Sequence, residues 1–443
     1  MSASPTRRGS APGEGSVVPS LLDRHWRLAL FTGLYLYQGL VAGFATTALA
    51  NHFAATGFAA ADVGRHLAFV GLPWVLQPLL WGPLIDGAAP RQMGARRFWL
   101  VVSLAGAQAC LGALALLGER PGLSVVSGVL FLHSLFASLA DTATDRMLTG
   151  SVPEAELGRT GACTRAGFVG GSAVGAAGAG WLLGGAGFVA AVLVLLGVTT
   201  AIVLASALVR EAPGDALIAP GRCVADAAAD GGVTLDPSGP IARLVGRLGP
   251  TLQLFRRREA ALLLVTCFVI DFALALFEVP FAVALVQVHG WTAAALTNTQ
   301  AWLGLLGGTV GAAAVGFVVD RLGPDRALVG LLLACAAAFA ASAGLVAASE
   351  ADTGALVLGL SGIVPGLLYV VLLPAVVLAS RAQGASATGF QIFMAAMNLG
   401  DVAGAASAGA LEPWLRPAET AGAVALVFLA SAAVRVFQRR RSS

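Results

Sequence analysis

The sequence predicts an all-α polytopic membrane protein in which twelve transmembrane helices form two six-helix bundles. Three observations predict it: a composition too apolar for water, enough apolar sequence for about twelve spans, and arginines confined to alternate loops. Of the 443 residues, 57% are hydrophobic and only 12% are charged. A soluble domain carries about a quarter charged residues, so this chain lacks the polar surface a water-facing globule needs. The lipid bilayer is therefore its solvent. All 27 basic residues are arginine. Without lysine the chain has no Walker-type P-loop, Schiff-base or pyridoxal-phosphate chemistry. A net charge of +3 on so long a chain does not suit a nucleic-acid partner. Cys110, Cys163, Cys223, Cys267 and Cys335 are scattered, four of them in apolar runs, so neither a disulfide framework nor a metal or cofactor site is expected.

The elements follow in order. Residues 1–26 form a polar N-terminal tail. The first apolar run, 28–51, is preceded by Arg24 and Arg27 but is long and is followed by eleven more, so it reads as a first helix and not as a removable signal. Runs at 63–84, 98–118, 123–145, 159–182 and 187–209 complete a bundle within 27–209. The stretch 210–258, with Asp215, Asp226, Asp230, Asp236 and several prolines and glycines, reads as a linker, with 241–254 as a short amphipathic helix on the membrane surface. A second bundle, 259–438, holds runs at 259–287, 292–319, 327–349, 353–380, 386–411 and 417–438, followed by a short tail at 439–443. A run of roughly 20 apolar residues spans the hydrocarbon core. All arginines except Arg65, Arg120 and Arg416 fall on the side of the two termini. By the positive-inside rule both termini are cytoplasmic and the number of spans is even.

The chain also carries an internal repeat. After the second run it reads Gly82-Pro-Leu-Ile-Asp86, then Gly94-Ala-Arg96-Arg97; after the eighth it reads Gly316-Phe-Val-Val-Asp320-Arg321-Leu-Gly323-Pro-Asp325-Arg326. Matched copies in two halves mark a duplication. The pair resembles the loop signature of the major facilitator superfamily, twelve-helix transporters built of two six-helix bundles. The first copy is looser, lacking the arginine after its aspartate. In this pattern glycine lets helices approach, and aspartates and arginines form contacts that bias the switch between outward-open and inward-open states. Gly82, Asp86, Arg96, Arg97, Asp145, Gly316, Asp320, Arg321 and Arg326 are therefore expected to form a conformational latch.

Tyr37-Gln38-Gly39-Leu40, Val70-Gly71-Leu72-Pro73-Trp74, Trp81-Gly82-Pro83-Leu84-Ile85-Asp86 and Asp141-Thr-Ala-Thr-Asp145 resemble the muropeptide permease, siderophore permease and acetyl-coenzyme A transporter branch, as do Asp271 and Ser386-Ala387-Thr388. That resemblance implies a proton-coupled carrier of a sizeable polar or anionic organic solute. The family pattern has basic residues where this chain has Gln77, Phe268 and Val169, a departure that bears on the substrate.

An ionisable residue inside a span costs at least ~2.5–3.5 kcal/mol on insertion scales, so each is a functional candidate. Asp271 lies near the middle of the seventh run, with Glu278 seven residues on and on the same helical face; Asp271 is expected to bind a proton or a substrate group. Asp141 and Asp145 share a face at the cytoplasmic end of the fourth run, within reach of Arg96, Arg97 or Arg165. Asp145 reads as an ion-pair latch, and Arg165 as a partner of Asp141 or of an anionic ligand. Asp401, Asn398, Gln38 and Gln77 are further pathway candidates; Tyr35, Gln108, His133, Asn298, Gln300 and Gln391 are weaker ones. Gly167, Gly170, Gly171, Gly175 and Gly178 read as a packing face of the fifth run.

A membrane-embedded enzyme would need clustered catalytic groups, and the five histidines are isolated from one another. The sequence thus points to a monomeric secondary transporter of the bacterial cytoplasmic (inner) membrane. It would act by alternating access, moving a small-to-medium polar organic solute that is muropeptide-, siderophore- or peptide-like, as a symporter coupled to protons. A proton-driven drug or metabolite exporter of the same fold is the alternative, and a non-transporting receptor a more distant one.

Overall fold

The computed structural model describes residues 18–87, 91–153, 156–218, 256–347, 353–381, 386–411, 414 and 416–442. They form twelve long helical segments: α1 (Arg24–Ala55), α2 (Ala60–Gly87), α3 (Ala95–Ala115), α4 (Leu123–Ser151), α5 (Leu157–Gly185), α6 (Phe188–Ala207), α7 (Arg258–Gln287), α8 (293–322), α9 (Pro324–Ala347), α10 (Gly354–Arg381), α11 (Ser386–Leu411) and α12 (Pro417–Ser442). Among the described residues nine of them are long and apolar enough to cross a membrane. The chain is thus an all-helical, multi-span membrane protein. Large apolar side chains such as Leu116, Trp181 and Leu426 lie exposed on its surface, as a lipid-facing protein requires.

Local chemistry sets the helix ends. The Asp23 side chain caps α1 by accepting from the amides of His25 (2.7 Å) and Trp26 (3.3 Å). Gly187 (φ +94°) and Gly323 (φ +80°) occupy backbone conformations open chiefly to glycine and precede α6 and α9. Two helices widen to π geometry inside the membrane, α1 at Gly43–Ala48 and α8 at Gly307–Gly311.

Three sequence expectations change here. The C-terminal tail expected at 439–443 is helical through Ser442. The expected linker is anchored at its start: Arg210 N donates to Pro19 O and Leu21 N to Arg210 O, both at 2.9 Å, and Ala216 N donates to Gln92 O at 2.7 Å. The rest of it, with the amphipathic helix expected at 241–254, lies outside the described residues. Only three of the five α5 glycines pack as expected. A Cβ built on Gly167, Gly171 or Gly175 falls on the backbone of α1, whereas one on Gly170 or Gly178 meets nothing within 4 Å.

The helices sort into two hydrophobic cores, one from α1 to α6 and one from α7 to α12. In lipid the apolar effect does not drive helices together, so close approach and dispersion must. The principal backbone contacts are matched in the two halves: α1 lies on α5 through Gly39, Gly43, Gly171 and Gly175, and α7 lies on α11 through Gly400 and Gly404.

The halves meet along α2–α11 and α5–α8. At the end remote from the termini a Cβ on Gly64 would fall on the carbonyl oxygen of Ala405, and one on Gly409 on the side chain of Ala61. A polar clasp closes the same end. Asn51 Nδ2 donates to Thr297 Oγ1 (2.9 Å) and Gln300 Oε1 (2.7 Å), and Gln287 Nε2 to the carbonyls of Ala54 and Phe58 (both 2.9 Å). The first core accordingly extends onto Val279, Val283, Ala405 and Ala408 of the other half.

Candidate functional site

Between the halves lies a cavity of about 530 Å³, a size that suits a small organic molecule. Its N-terminal wall includes Tyr37 and Gln38 of α1, Val70 and Trp74 of α2, His133 and Ser134 of α4 and Phe168 of α5. Facing it are Glu278 of α7, Gln300 of α8 and Asn398 and Asp401 of α11. The π turn in α1 brings Thr46 and Thr47 to the same space.

Proline shapes both walls. Pro280 has no amide hydrogen, so the carbonyl of Leu276 loses its helical donor beside Glu278. Pro78 does the same to the carbonyl of Trp74, and Asn398 Nδ2 donates to that freed oxygen from across the interface at 3.3 Å.

The carboxyls are arranged differently from the sequence expectation. Asp271, expected as the principal pathway acid, does not line the cavity; Glu278 and Asp401 do. A helix turns about 100° per residue, so seven residues fall ~20° short of two full turns and any kink adds to the offset. Pro280 lies just beyond Glu278. Asp271 instead stands within electrostatic reach of both cavity acids. Among the described residues neither Glu278 nor Asp401 receives a hydrogen bond or an ion pair.

A second acidic pair sits behind the N-terminal wall. Asp141 accepts from Gln38 Nε2 at Oδ1 (2.8 Å) and from Gln77 Nε2 at Oδ2 (2.7 Å), and Gln77 also reaches Thr142 Oγ1 (3.2 Å). Asp145 accepts from the Tyr35 hydroxyl at 2.8 Å. The expected ion-pair latch at Asp145 is thus replaced by a hydroxyl contact beside a second carboxyl. Amides hold Asp141 in place of the arginine expected there; the Arg165 guanidinium lies 6.0 Å from the centre of the Phe168 ring.

The latch residues also take other positions. Arg97 is buried and clamps α3 to the end of α6: Nε donates to Val209 O (2.8 Å), Nη1 to Ala216 O (3.2 Å) and Leu217 O (3.0 Å), and Nη2 to Ala207 O. Glu211 returns the contact, accepting the Arg96 and Arg97 amides at 3.0 and 2.7 Å and capping α3. In this conformation Arg97 therefore holds the end of the first bundle and the start of the linker and does not reach the second bundle. Arg96 packs against Gly150 of α4. Gly316 meets nothing within 4 Å of a built Cβ, so close helix approach does not explain it. Arg321 lies 4.1 Å from the centre of the Phe317 ring and Arg326 is exposed. The side chains of Asp86 and Asp320, and Gly82 with them, fall outside the described ones.

Sequence reasoning missed Trp74 and Phe168 as wall residues and Asn51 and Gln287 as the clasp. Pro73 and Pro78 around Trp74 were the available signal for the first; nothing in the sequence singles out the clasp.

Residues 28–407 match the family model described as Major Facilitator Superfamily. Among solved structures the chain is similar to the nucleoside transporter NupG, at 15% identity and TM-score 0.62, covering 93% of this chain and 97% of that one. It is also similar to a POT family transporter in complex with a thioalcohol-conjugated peptide, at 9% identity and TM-score 0.67, covering 94% and 96%. At these identities the likeness concerns the fold.

Proposed function

The chain belongs to the major facilitator superfamily, and from that premise we propose that it is a proton-coupled carrier of a polar organic solute in the bacterial cytoplasmic membrane. One observation carries the coupling: Glu278 and Asp401 line the cavity with no hydrogen-bond or ion-pair partner, and no arginine lines it among the described residues. Carboxyls with no protein partner on the wall of such a cavity can take up and release protons as the carrier opens to either side. Glu278 takes the leading role that position along the helix alone assigns to Asp271, because it reaches the cavity.

On this reading both termini are cytoplasmic, the Gly64–Ala405 seam and the Asn51 clasp shut the periplasmic side, and the monomer works by rocking the bundles 27–209 and 259–438 about the cavity. The motif-level resemblance supports muropeptide-, siderophore- or peptide-like solutes.

The test is reconstitution in vesicles containing a pH dye, with muropeptides, siderophores, peptides and drugs offered under an imposed pH gradient. Solute accumulation should move protons, and Glu278→Gln should abolish gradient-driven accumulation. Accumulation without proton movement, or full accumulation by Glu278→Gln, overturns the proposal.

A further inference from the structure

The charge on the cavity wall is of one sign. Among the described residues its lining holds Glu278 and Asp401 and neither lysine nor arginine. Glu278 is half-buried, and among the described residues its carboxyl oxygens meet no donor. It is an acceptor with unmet capacity on the wall of a void, and burying such a group unpaired is costly. Asp401 is exposed into the same space. Across from them stand Tyr37, Trp74 and Phe168. Aromatic faces opposite carboxyls form the environment that stabilises an organic cation, through the ring quadrupole on one side and opposite charge on the other. An anionic group would meet repulsion from the acids and find no counter-ion on the wall.

We infer that the transported solute carries a cationic nitrogen, seated between Glu278 and Asp401 on one side and the Trp74, Tyr37 and Phe168 wall on the other. This rests on the transport reading of the cavity and narrows it to a substrate class: amine-, amidine- or quaternary-ammonium-bearing organic molecules. The groups around the acids fit this assignment. Asp271, a further acid of α7, does not line the cavity. His133 of α4 is 3% exposed and engaged with the Tyr37 hydroxyl at 3.3 Å. The Arg165 guanidinium of α5 lies 6.0 Å from the centre of the Phe168 ring and does not line the cavity.

The experiment measures binding on the purified full chain in nanodiscs, with matched probes of fixed charge: arylalkyl trimethylammonium ions of increasing size, their uncharged tert-butyl isosteres, and the corresponding sulfonates. The ammonium series should bind and raise the unfolding temperature, with sulfonates at least about tenfold weaker. The double variant Glu278→Gln/Asp401→Asn should lose at least about tenfold in ammonium affinity. Should that variant not fold, pH on the unaltered protein decides: lowering it should weaken ammonium binding, because protons compete for the same carboxyls, and leave the isosteres unaffected. Sulfonates binding as well as ammonium ions, no ammonium ion binding, or ammonium affinity indifferent to pH and to the double variant overturns the inference. Binding needs no gradient, so a failure here is distinct from a failure of proton coupling in vesicles.

Discussion

Replacing Gly64 with alanine should open the side of the molecule remote from the termini. A Cβ at Gly64 falls on the Ala405 carbonyl oxygen, with the Ala405 carbonyl carbon at 3.2 Å. Non-bonded carbons rest near 3.5–4.0 Å, and a backbone oxygen cannot rotate aside as a side chain can. The α2–α11 seam must therefore part, and overpacking of this kind costs about 1–3 kcal/mol. The cost applies only while the seam is shut, so the equilibrium shifts towards the open state by roughly 5- to 150-fold. Spin labels at Ala59 and Val288, in a background freed of native cysteines, would report the separation of the two halves at that end. The long-distance population should grow in Gly64→Ala. Gly112→Ala, where a Cβ meets nothing within 4 Å, should match the parent. An unchanged distance distribution in Gly64→Ala would refute the idea that backbone contact at this seam holds the closed state.

Further outcomes follow from other contacts. Asn51→Ala removes two hydrogen bonds to α8 and should shift the same label distance in the same direction, by about 1–2 kcal/mol. Pro78→Ala restores a helical donor to the Trp74 carbonyl and should weaken its acceptance of Asn398; the probe is the spin-label distance across mid-membrane α2–α11, which should lengthen. Arg97→Ala strips the α6 carbonyls of a buried donor and should lower stability by about 2–3 kcal/mol in thermal unfolding. Arg97→Lys should not restore it, since an ammonium cannot reach several carbonyls in a fixed fork. Gly175→Val should prevent folding, whereas Gly178→Val should yield normal amounts of protein in a fluorescence size-exclusion assay.

Much of the fold was legible because each membrane span must satisfy its own backbone, which leaves a long apolar run in the sequence for every helix. The twelve runs at 28–51 through 417–438 correspond one to one with α1–α12. The site was legible in part. Gln38, Gln77 and Asp141 stood out as polar groups in apolar runs, and they do meet. The partners of Arg97 were not legible, because an arginine near a helix start looks the same whether it meets a carboxylate or, as here, the carbonyls at the end of a neighbouring helix.

Composition and patterning by themselves determined that this chain lives in lipid and how many long helices it divides into. These properties reside in the order of residues along one helix. Which acid faces the cavity, which glycines touch a neighbour, and which side of the carrier is shut depend on helix rotation and partner choice. In lipid those are set by the close packing of backbones such as Gly64 on Ala405 and Gly171 on α1, contacts between residues far apart in the chain. For that reason Asp271 and Glu278 look alike in sequence, and only the tertiary structure puts Glu278 on the wall.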